Sequence, residues 1–357
     1  MLHKKWSNIM DFLFSNYNPL KTSSQTFADS FYSLLPQTDK LDIAVGYITS
    51  DSLIELQKAV ELNHVQKLNL IIGMHYIEQF TQVEYKSAVK LNEFLRDNGA
   101  GEVRLVTPFR YHGKLYSFQK GDKTFAGIIG SNNLSSIVDC QNRIYESSIL
   151  INDEPSLAKM QGFISDLRDK ATENIANLDI NTFKSGNPIL EGQDFVSKVS
   201  PQELAQCLAS LTDVKFDIPI KDTPQSNLNV FFGKGRETKS TGVIKPRHWY
   251  EAEIIVSKAI TSLNGYPKAQ TDSASFDVIT DDGWKFRCKV SGDYSKNFRS
   301  EGDLRILGKW LKGRLENAGV LSGITPVTAQ ELQEYGRCNF SMTKTTIPNL
   351  WYLDFKV

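Results

Sequence analysis

Cysteine is scarce in this 357-residue chain. Cys140, Cys207, Cys288 and Cys338 lie far apart with no paired spacing. That excludes a zinc ribbon and a disulfide framework, and leaves reduced, buried thiols as the expectation. No apolar run reaches the roughly 20 residues a membrane span needs. The N-terminal stretch MLHKKWSNIMDFLFSNYNPL starts basic and turns apolar, but Asn8, Asp11, Ser15 and Asn16 break up any secretory core. A cytoplasmic protein with no membrane partner is therefore expected. An excess of one charge sign is missing too, since 41 Lys and Arg offset 41 Asp and Glu. The molecule as a whole does not advertise a polyanionic partner. Low-complexity tracts, internal repeats and a Gly-rich phosphate loop ending in Lys are all absent, which excludes a built-in ATPase of that type.

What is present is enough for two domains, each with its own core. The first half alternates short β-rich runs with amphipathic helices. Leu41–Tyr47, Leu68–Gly73, Val103–Thr107, Lys114–Phe118, Thr124–Gly130 and Arg143–Ile151 read as strands. Ser52–Leu62, Tyr85–Arg96 and Met160–Leu178 read as helices. This order predicts an α/β layer architecture with a mixed sheet over residues 1–180. Asn181–Asp194 is rich in Asn, Gly, Ser and Pro, and Ser200-Pro201-Gln202-Glu203 carries a helix start, so 181–226 reads as a linker with a short helix. Residues 227–357 turn β-rich, except for Asp303–Ala318, where Leu304, Leu307, Leu311 and Leu315 recur at helical spacing. Arg305, Lys309, Lys312 and Arg314 fall mostly on the expected solvated side of that helix.

One constellation carries chemistry. His112 and Lys114 are two apart on a strand, so both side chains point to one face. Ser131 and Asn133 are also two apart, just after Thr124–Gly130. If that strand pairs with Lys114–Phe118 as a hairpin, its end returns to the level of His112. Lys114 then supplies charge, while Ser131 and Asn133 supply neutral donors for the nonbridging oxygens of a phosphodiester. Imidazole titrates at about pH 6.5, so His112 can attack phosphorus when neutral or donate a proton when charged. Glu146, on the next strand, can bond the far ring nitrogen and fix the tautomer.

His112-x-Lys114 with Gly130-Ser131-x-Asn133 resembles the signature of the phospholipase D superfamily. Gln119 stands where that signature commonly has Asp. The spacing on to Glu146 is similar to that of the superfamily's small bacterial nucleases. The resemblance implies a phospholipase D-like domain, a covalent phosphohistidine on His112, and no metal ion or other cofactor. Superfamily sites use two such motifs and this chain has one. The resemblance therefore implies a homodimer through the N-terminal domain, with its active site on the two-fold axis.

The second half holds two basic, polar arms. Gly233–Tyr250 carries Lys234, Arg236, Thr238, Lys239, Lys245, Arg247, His248 and Trp249. Asp281–Ser300 carries Lys285, Arg287, Lys296, Asn297 and Arg299. From Phe231 to Arg314, sixteen Lys and Arg face ten Asp and Glu, which suits phosphate contact. Such side chains pair with base edges and hold phosphates, so two arms on a β-scaffold can straddle a groove of double-stranded DNA. Trp249-Tyr250-Glu251-x-Glu253-Ile254, Thr280-Asp281-Asp282-Gly283, Lys296-Asn297-x-x-Ser300, Leu307-Gly308-x-Trp310-Leu311-Lys312-Gly313-Arg314-Leu315 and Tyr335-Gly336-Arg337 resemble the C-terminal half of NgoFVII-type restriction endonucleases. The order of parts is also similar to BfiI-like enzymes. This resemblance implies an all-β pseudobarrel of the plant B-three type that reads the major groove, and a type II-like restriction endonuclease. Some relatives work with a separate helicase-like ATPase. The readings set against it are a phospholipase D-type phosphodiesterase or nuclease without sequence preference, and a DNA-binding protein that does not cut.

Overall fold

The computed structural model describes residues 10–138, 144–184, 190–237 and 242–357. Two compact units divide the chain. One spans Met1–Gly186, Glu237–Pro246 and Ser322–Ile324. The other spans Asn187–Arg236, Arg247–Leu321 and Thr325–Val357.

The first unit is built on eight strands: β1 (Met10–Phe14), β2 (Lys40–Val45), β3 (Lys67–Ile72), β4 (Gly101–Val106), β5 (Lys114–Lys120), β6 (Lys123–Gly130), β7 (Ser147–Ile151) and β8 (Thr172–Asn174). Their order across the sheet is β1-β7-β6-β5-β2-β3-β4-β8. β2, β3 and β4 run parallel and the other pairings are antiparallel, which makes the mixed sheet expected from sequence. Strand alternation splits the side chains between two cores. Leu41, Ile43, Val45, Tyr116, Phe118 and Ile128 pack with α1 (Phe27–Leu34), α2 (Ser50–Leu62) and α4 (Gln82–Asp97), where Phe31, Leu56 and Leu91 complete the layer, and the short α3 (His75–Glu78) precedes α4. Ala44, Ile71, Val106 and Leu115 pack with Leu157, Met160, Ile164 and Leu167 of α5 (Glu154–Ala171). Helix starts are set locally. Thr81 and Glu84 form a capping box on α4, and Asp153 caps α5 with Pro155 in its first turn.

The boundaries of α5 and β7 shift most. α5 begins six residues before the expected Met160, at its Asp153 cap. It stops at Ala171 because Thr172–Asn174 pairs with β4 as an edge strand. The strand expected from Arg143 is ordered as β7 only from Ser147, and Arg143 lies outside the described residues. Met10–Phe14 is an edge strand pairing β7, with Leu13 in the core and Met10, Phe12 and Phe14 outside it.

In the second unit, β9 (Ser197–Lys198) and α6 (Pro201–Ala209) precede β10 (Leu211–Pro219). The two-residue strands β11 (Arg236–Glu237) and β12 (Ile244–Lys245) pair with each other, β12 lying in the Glu237–Pro246 segment of the first unit, and β13 (Ile254–Ile255) and α7 (Lys258–Thr261) follow in the second. Next come β14 (Ser275–Thr280), β15 (Trp284–Ser291), β16 (Asn297–Ser300), α8 (Arg305–Asn317), α9 (Ala329–Tyr335), β17 (Asn339–Thr345) and β18 (Leu350–Asp354). Eight strands form one strongly curled, half-barrel sheet, seven of them in the order β10-β17-β18-β14-β15-β16-β13 and β9 pairing β15 off that path. Leu211–Pro219, which the sequence places in the connecting segment, is the edge strand of that sheet, with Phe216 and Ile218 turned into the core. α8 buries Ile306, Leu307, Trp310, Leu311 and Leu315, and Trp310 packs against Phe340 and Phe355.

The charges of α8 are not solvated as the helical wheel suggests. Arg305 and Lys312 are buried, and Arg314 is mostly so. Each has a partner that offsets desolvation. Arg305 forks onto Asp303, Arg314 pairs with Asp281 at 2.6 Å, and the Lys312 ammonium donates to the Trp249 carbonyl at 2.6 Å. The thiols of Cys207 and Cys288 are buried and free, but Cys338 is exposed, and Cys140 lies outside the described residues. Among the described residues, no helix is long and apolar enough to cross a membrane.

Candidate active site

The β5–β6 hairpin forms as the spacing predicts, with Leu115 opposite Ile129 and Gly121 turning at φ 55°. Lys114 opens β5 beside Val45, the last residue of β2, so the chain after β2 arrives at the same level. The Lys114 side chain is buried, and its Nζ lies 3.1 Å from Nδ1 and 3.2 Å from Nε2 of His112. The same ammonium donates to the His112 carbonyl at 2.7 Å. Burial holds the Lys114 ammonium below its usual pKa, while the Glu146 charge pulls it back up. His112 itself is exposed, with its ring edge-on to Tyr47 at 5.6 Å. An exposed imidazole beside a fixed ammonium is open to a substrate on one side and to charge on the other.

The return of the hairpin brings the neutral donors. Asn133 Oδ1 accepts from the Tyr47 backbone N–H at 3.1 Å, so its Nδ2 faces away, with no bond among the described residues. Ser131 is tied to the edge of β7: its Oγ accepts from the Ser147 N–H at 3.0 Å and donates to the Ser147 carbonyl at 3.2 Å. Glu146 does not make the expected bond to His112. Its backbone pairs with Ser15, and its carboxylate acts on Lys114 through charge. The glycines of both motifs have steric reasons. A Cβ at Gly113 would lie 2.3 Å from the Tyr111 hydroxyl, and one at Gly130 would lie 2.4 Å from Ser148 Cα.

Three contributors were not singled out from sequence. Gly46 lets His112 approach: a Cβ there would meet His112 Cδ2 at 3.2 Å. Tyr47 supplies both the ring beside His112 and the N–H on Asn133, and its hydroxyl donates to Glu78 at 2.7 Å. Asp42 answers the Gln119 substitution. It is buried on β2 and accepts from Gln119 at 2.7 Å, Gln161 at 2.9 Å and Asn69 at 2.7 Å. These bonds tie β2 to β3, β5 and α5 behind the site. The signal available in sequence was a lone Asp inside the apolar run LDIAV.

Residues 25–180 match the NgoFVII restriction endonuclease N-terminal PLD domain, and residues 206–346 match the NgoFVII C-terminal B3-like DNA-binding domain. The chain belongs to the NgoFVII restriction endonuclease family. The family's nuclease domain is a DNA-hydrolysing phosphodiesterase of phospholipase D type. Among solved structures the chain is similar to Nuc, a phospholipase D family member from Salmonella typhimurium, at 12% identity over 46% of this chain and 96% of that one, TM-score 0.33. It is similar to NucT from Helicobacter pylori at 17% identity over 45% and 98%, TM-score 0.32. It is also similar to phosphatidylserine synthase from Haemophilus influenzae Rd KW20 at 18% identity over 48% of this chain and 41% of that one, TM-score 0.34. No curated protein matches the chain significantly.

In this NgoFVII-family chain the basic arms are less free than their composition suggests. Trp249 is fully buried and donates to Glu316 at 2.8 Å, which makes it a core residue and removes it from the DNA-facing set. Arg236 and Arg247 both donate to Glu251, a buried carboxylate. Lys245 pairs with Asp29 at 2.8 Å. On the second arm, Lys285 pairs with Glu203, Arg287 with Glu301, and Arg299 with Glu253. These charges stand on the ordered strands β15 and β16, whose alternation puts Arg287, Lys289 and Arg299 on one face. Lys234 and Lys296 are exposed, while His248 and Asn297 are half-buried. Thr238 and Lys239 lie outside the described residues.

His75 is the second imidazole near Tyr47, with ring centroids 5.6 Å apart, but it is buried and stacked on Phe80. Its Nε2 accepts from the Ile48 N–H at 3.2 Å. Burial first, and then the Lys184 charge, push its pKa from 6.5 down to about 4. The unfolded chain therefore binds this proton more readily than the native one. The contribution is complete above pH 6.5 and is lost as pH falls towards 4. The stability lost over that window is about 3 kcal/mol from this group. Denaturant melts of wild type should show the fall, and His75→Gln should flatten it. Equal slopes in both proteins would assign the loss to other groups.

Proposed function

We propose that this protein is a dimeric restriction endonuclease that cuts DNA without a metal ion, acting in the cytoplasm at or near a short sequence read by its B3-like domain. The supporting observation is the Lys114 ammonium fixed 3.1 Å from an exposed His112, with the Asn133 amide at the same strand ends. A nitrogen of His112 attacks phosphorus, a P–N bond forms, and the bond from phosphorus to one ester oxygen breaks. Lys114, Ser131 and Asn133 stabilise the nonbridging oxygens as charge builds on them. The departing oxygen takes a proton from a second histidine. Water then attacks phosphorus and gives a proton to the second histidine, now neutral, the P–N bond breaks, and both histidines are regenerated. Lys234, Arg236, Lys245, Arg247, His248, Lys285, Arg287, Lys296, Asn297 and Arg299 remain the proposed DNA contacts, with Thr238 and Lys239.

Within one copy, His75 cannot serve as that second histidine, because it is buried and its Nε2 is already engaged. A second copy supplies it. The face that fits is the apolar stripe left uncovered on the first sheet. Phe12 and Phe14 are 60% and 38% exposed and stack at 5.8 Å, Met10 lies beside them, and Phe12 is opposite Ile149, which is opposite Ile129. The stripe ends at Ser147, the partner of Ser131, so a two-fold contact there lies next to the chemistry. Two histidines in opposite protonation states give a bell-shaped dependence of cleavage rate on pH. Single-turnover rates from pH 5 to 9, with acid quench to collect a DNA adduct on His112, test this reading. A single ionisation with no adduct would overturn it.

A further inference from the structure

At the opposite end of the first sheet, the starts of β2, β3 and β4 surround a concavity of about 670 Å³. Lys40, Lys67, Arg96, Arg104 and Arg168 line it, together with one carboxylate, Glu102. These cations come from five different elements or their flanks: two strand starts, the interior of β4, and the last turns of α4 and α5. Three of them have carboxylate partners, namely Asp42 for Lys40, Glu102 for Arg104 and Asp169 for Arg168. Lys67 and Arg96 are exposed, and among the described residues neither has a carboxylate partner. Two positive charges are therefore left over on one shallow concave surface. Next to Arg96, a Cβ at Gly99 would meet nothing within 4 Å, so the entrance is open.

Nothing in the His112 chemistry uses this surface. Lys40 is five residues from Val45, which neighbours Lys114, and a strand rises about 3.3 Å per residue, so the two sites are roughly 17 Å apart. We propose that this concavity is a second anion site of the nuclease unit that binds phosphate groups of a polyanion, with Lys67 and Arg96 as its unpaired anchors. Two sources present that chemistry: the backbone of DNA flanking the cut, and a free nucleotide polyphosphate. The DNA source rests on the reading of the protein as a nuclease, whereas the polyphosphate source does not.

The test uses the full chain as wild type, the Lys67→Gln/Arg96→Gln double variant, and His112→Ala. Calorimetric titration with tripolyphosphate should show binding to wild type and to His112→Ala, weakened at least ten-fold in the double variant. Anisotropy with a 30-base-pair duplex across a salt series separates the sources. If DNA occupies the site, the double variant lowers the slope of log affinity against log salt by about 1.8, the value for two phosphate contacts. If a free nucleotide occupies it, the slope is unchanged and only tripolyphosphate binding weakens. Tripolyphosphate binding that is undetectable in wild type, equal in the double variant, or lost in His112→Ala would overturn the proposal. DNA cleavage by the same proteins is scored separately, so a chain that fails to cut but binds tripolyphosphate at Lys67 and Arg96 leaves this site standing.

Discussion

His112→Ala should lower DNA cleavage by roughly 10⁴-fold or more while leaving DNA binding within about two-fold of wild type. That loss corresponds to about 5 kcal/mol of transition-state stabilisation. In the proposed mechanism His112 forms the bond to phosphorus, so without it the covalent route is closed rather than slowed. Lys114→Met keeps the nucleophile and removes charge from the nonbridging oxygens, so its loss should be smaller, roughly 10²- to 10³-fold. The ranking matters more than either number. If Lys114→Met were the more damaging, Lys114 would hold the site together and His112 would be one of several contacts. His112 is exposed, so its truncation leaves no cavity, and thermal melts should separate lost chemistry from lost fold.

Phe12→Lys combined with Phe14→Lys should produce a folded monomer that does not cut. A two-fold contact buries each ring twice, and four rings at about 1.5 kcal/mol each amount to about 6 kcal/mol. The dimer then dissociates roughly 10⁴-fold more readily, and charge repulsion adds to that. Both side chains are outside the core that Leu13 enters from the same strand, so the protomer should keep its melting behaviour. Sedimentation at micromolar concentration reads the mass, and plasmid cleavage reads the activity. A monomeric variant that cuts at the wild-type rate would show that one His112 is enough. A dimer that persists would move the interface to another surface.

The hairpin that carries His112, Lys114, Ser131 and Asn133 was legible because its logic is local: a period of two, a Gly-Asp turn, and strands of matching length. The parallel core strands were legible as short apolar runs. What the sequence hid depends on tertiary partners. Trp249 sits among five basic side chains of its arm and looks like a DNA contact, but the Glu316 carboxylate that buries it is 67 residues away. Lys312 reads as solvent-facing until the Trp249 carbonyl accepts from it. Asp42 looks out of place in LDIAV until Gln119, Gln161 and Asn69 are seen converging on it. Met10–Phe14 alternates like an edge strand, yet its nearness to a basic N-terminus draws attention to targeting instead.

A metal-free histidine mechanism on a sequence-reading nuclease is tested most directly by plasmid cleavage in excess EDTA by wild type and His112→Ala. Discrete fragments from wild type alone are the predicted result. An intact plasmid with wild type in EDTA, cut on adding back magnesium, would contradict it.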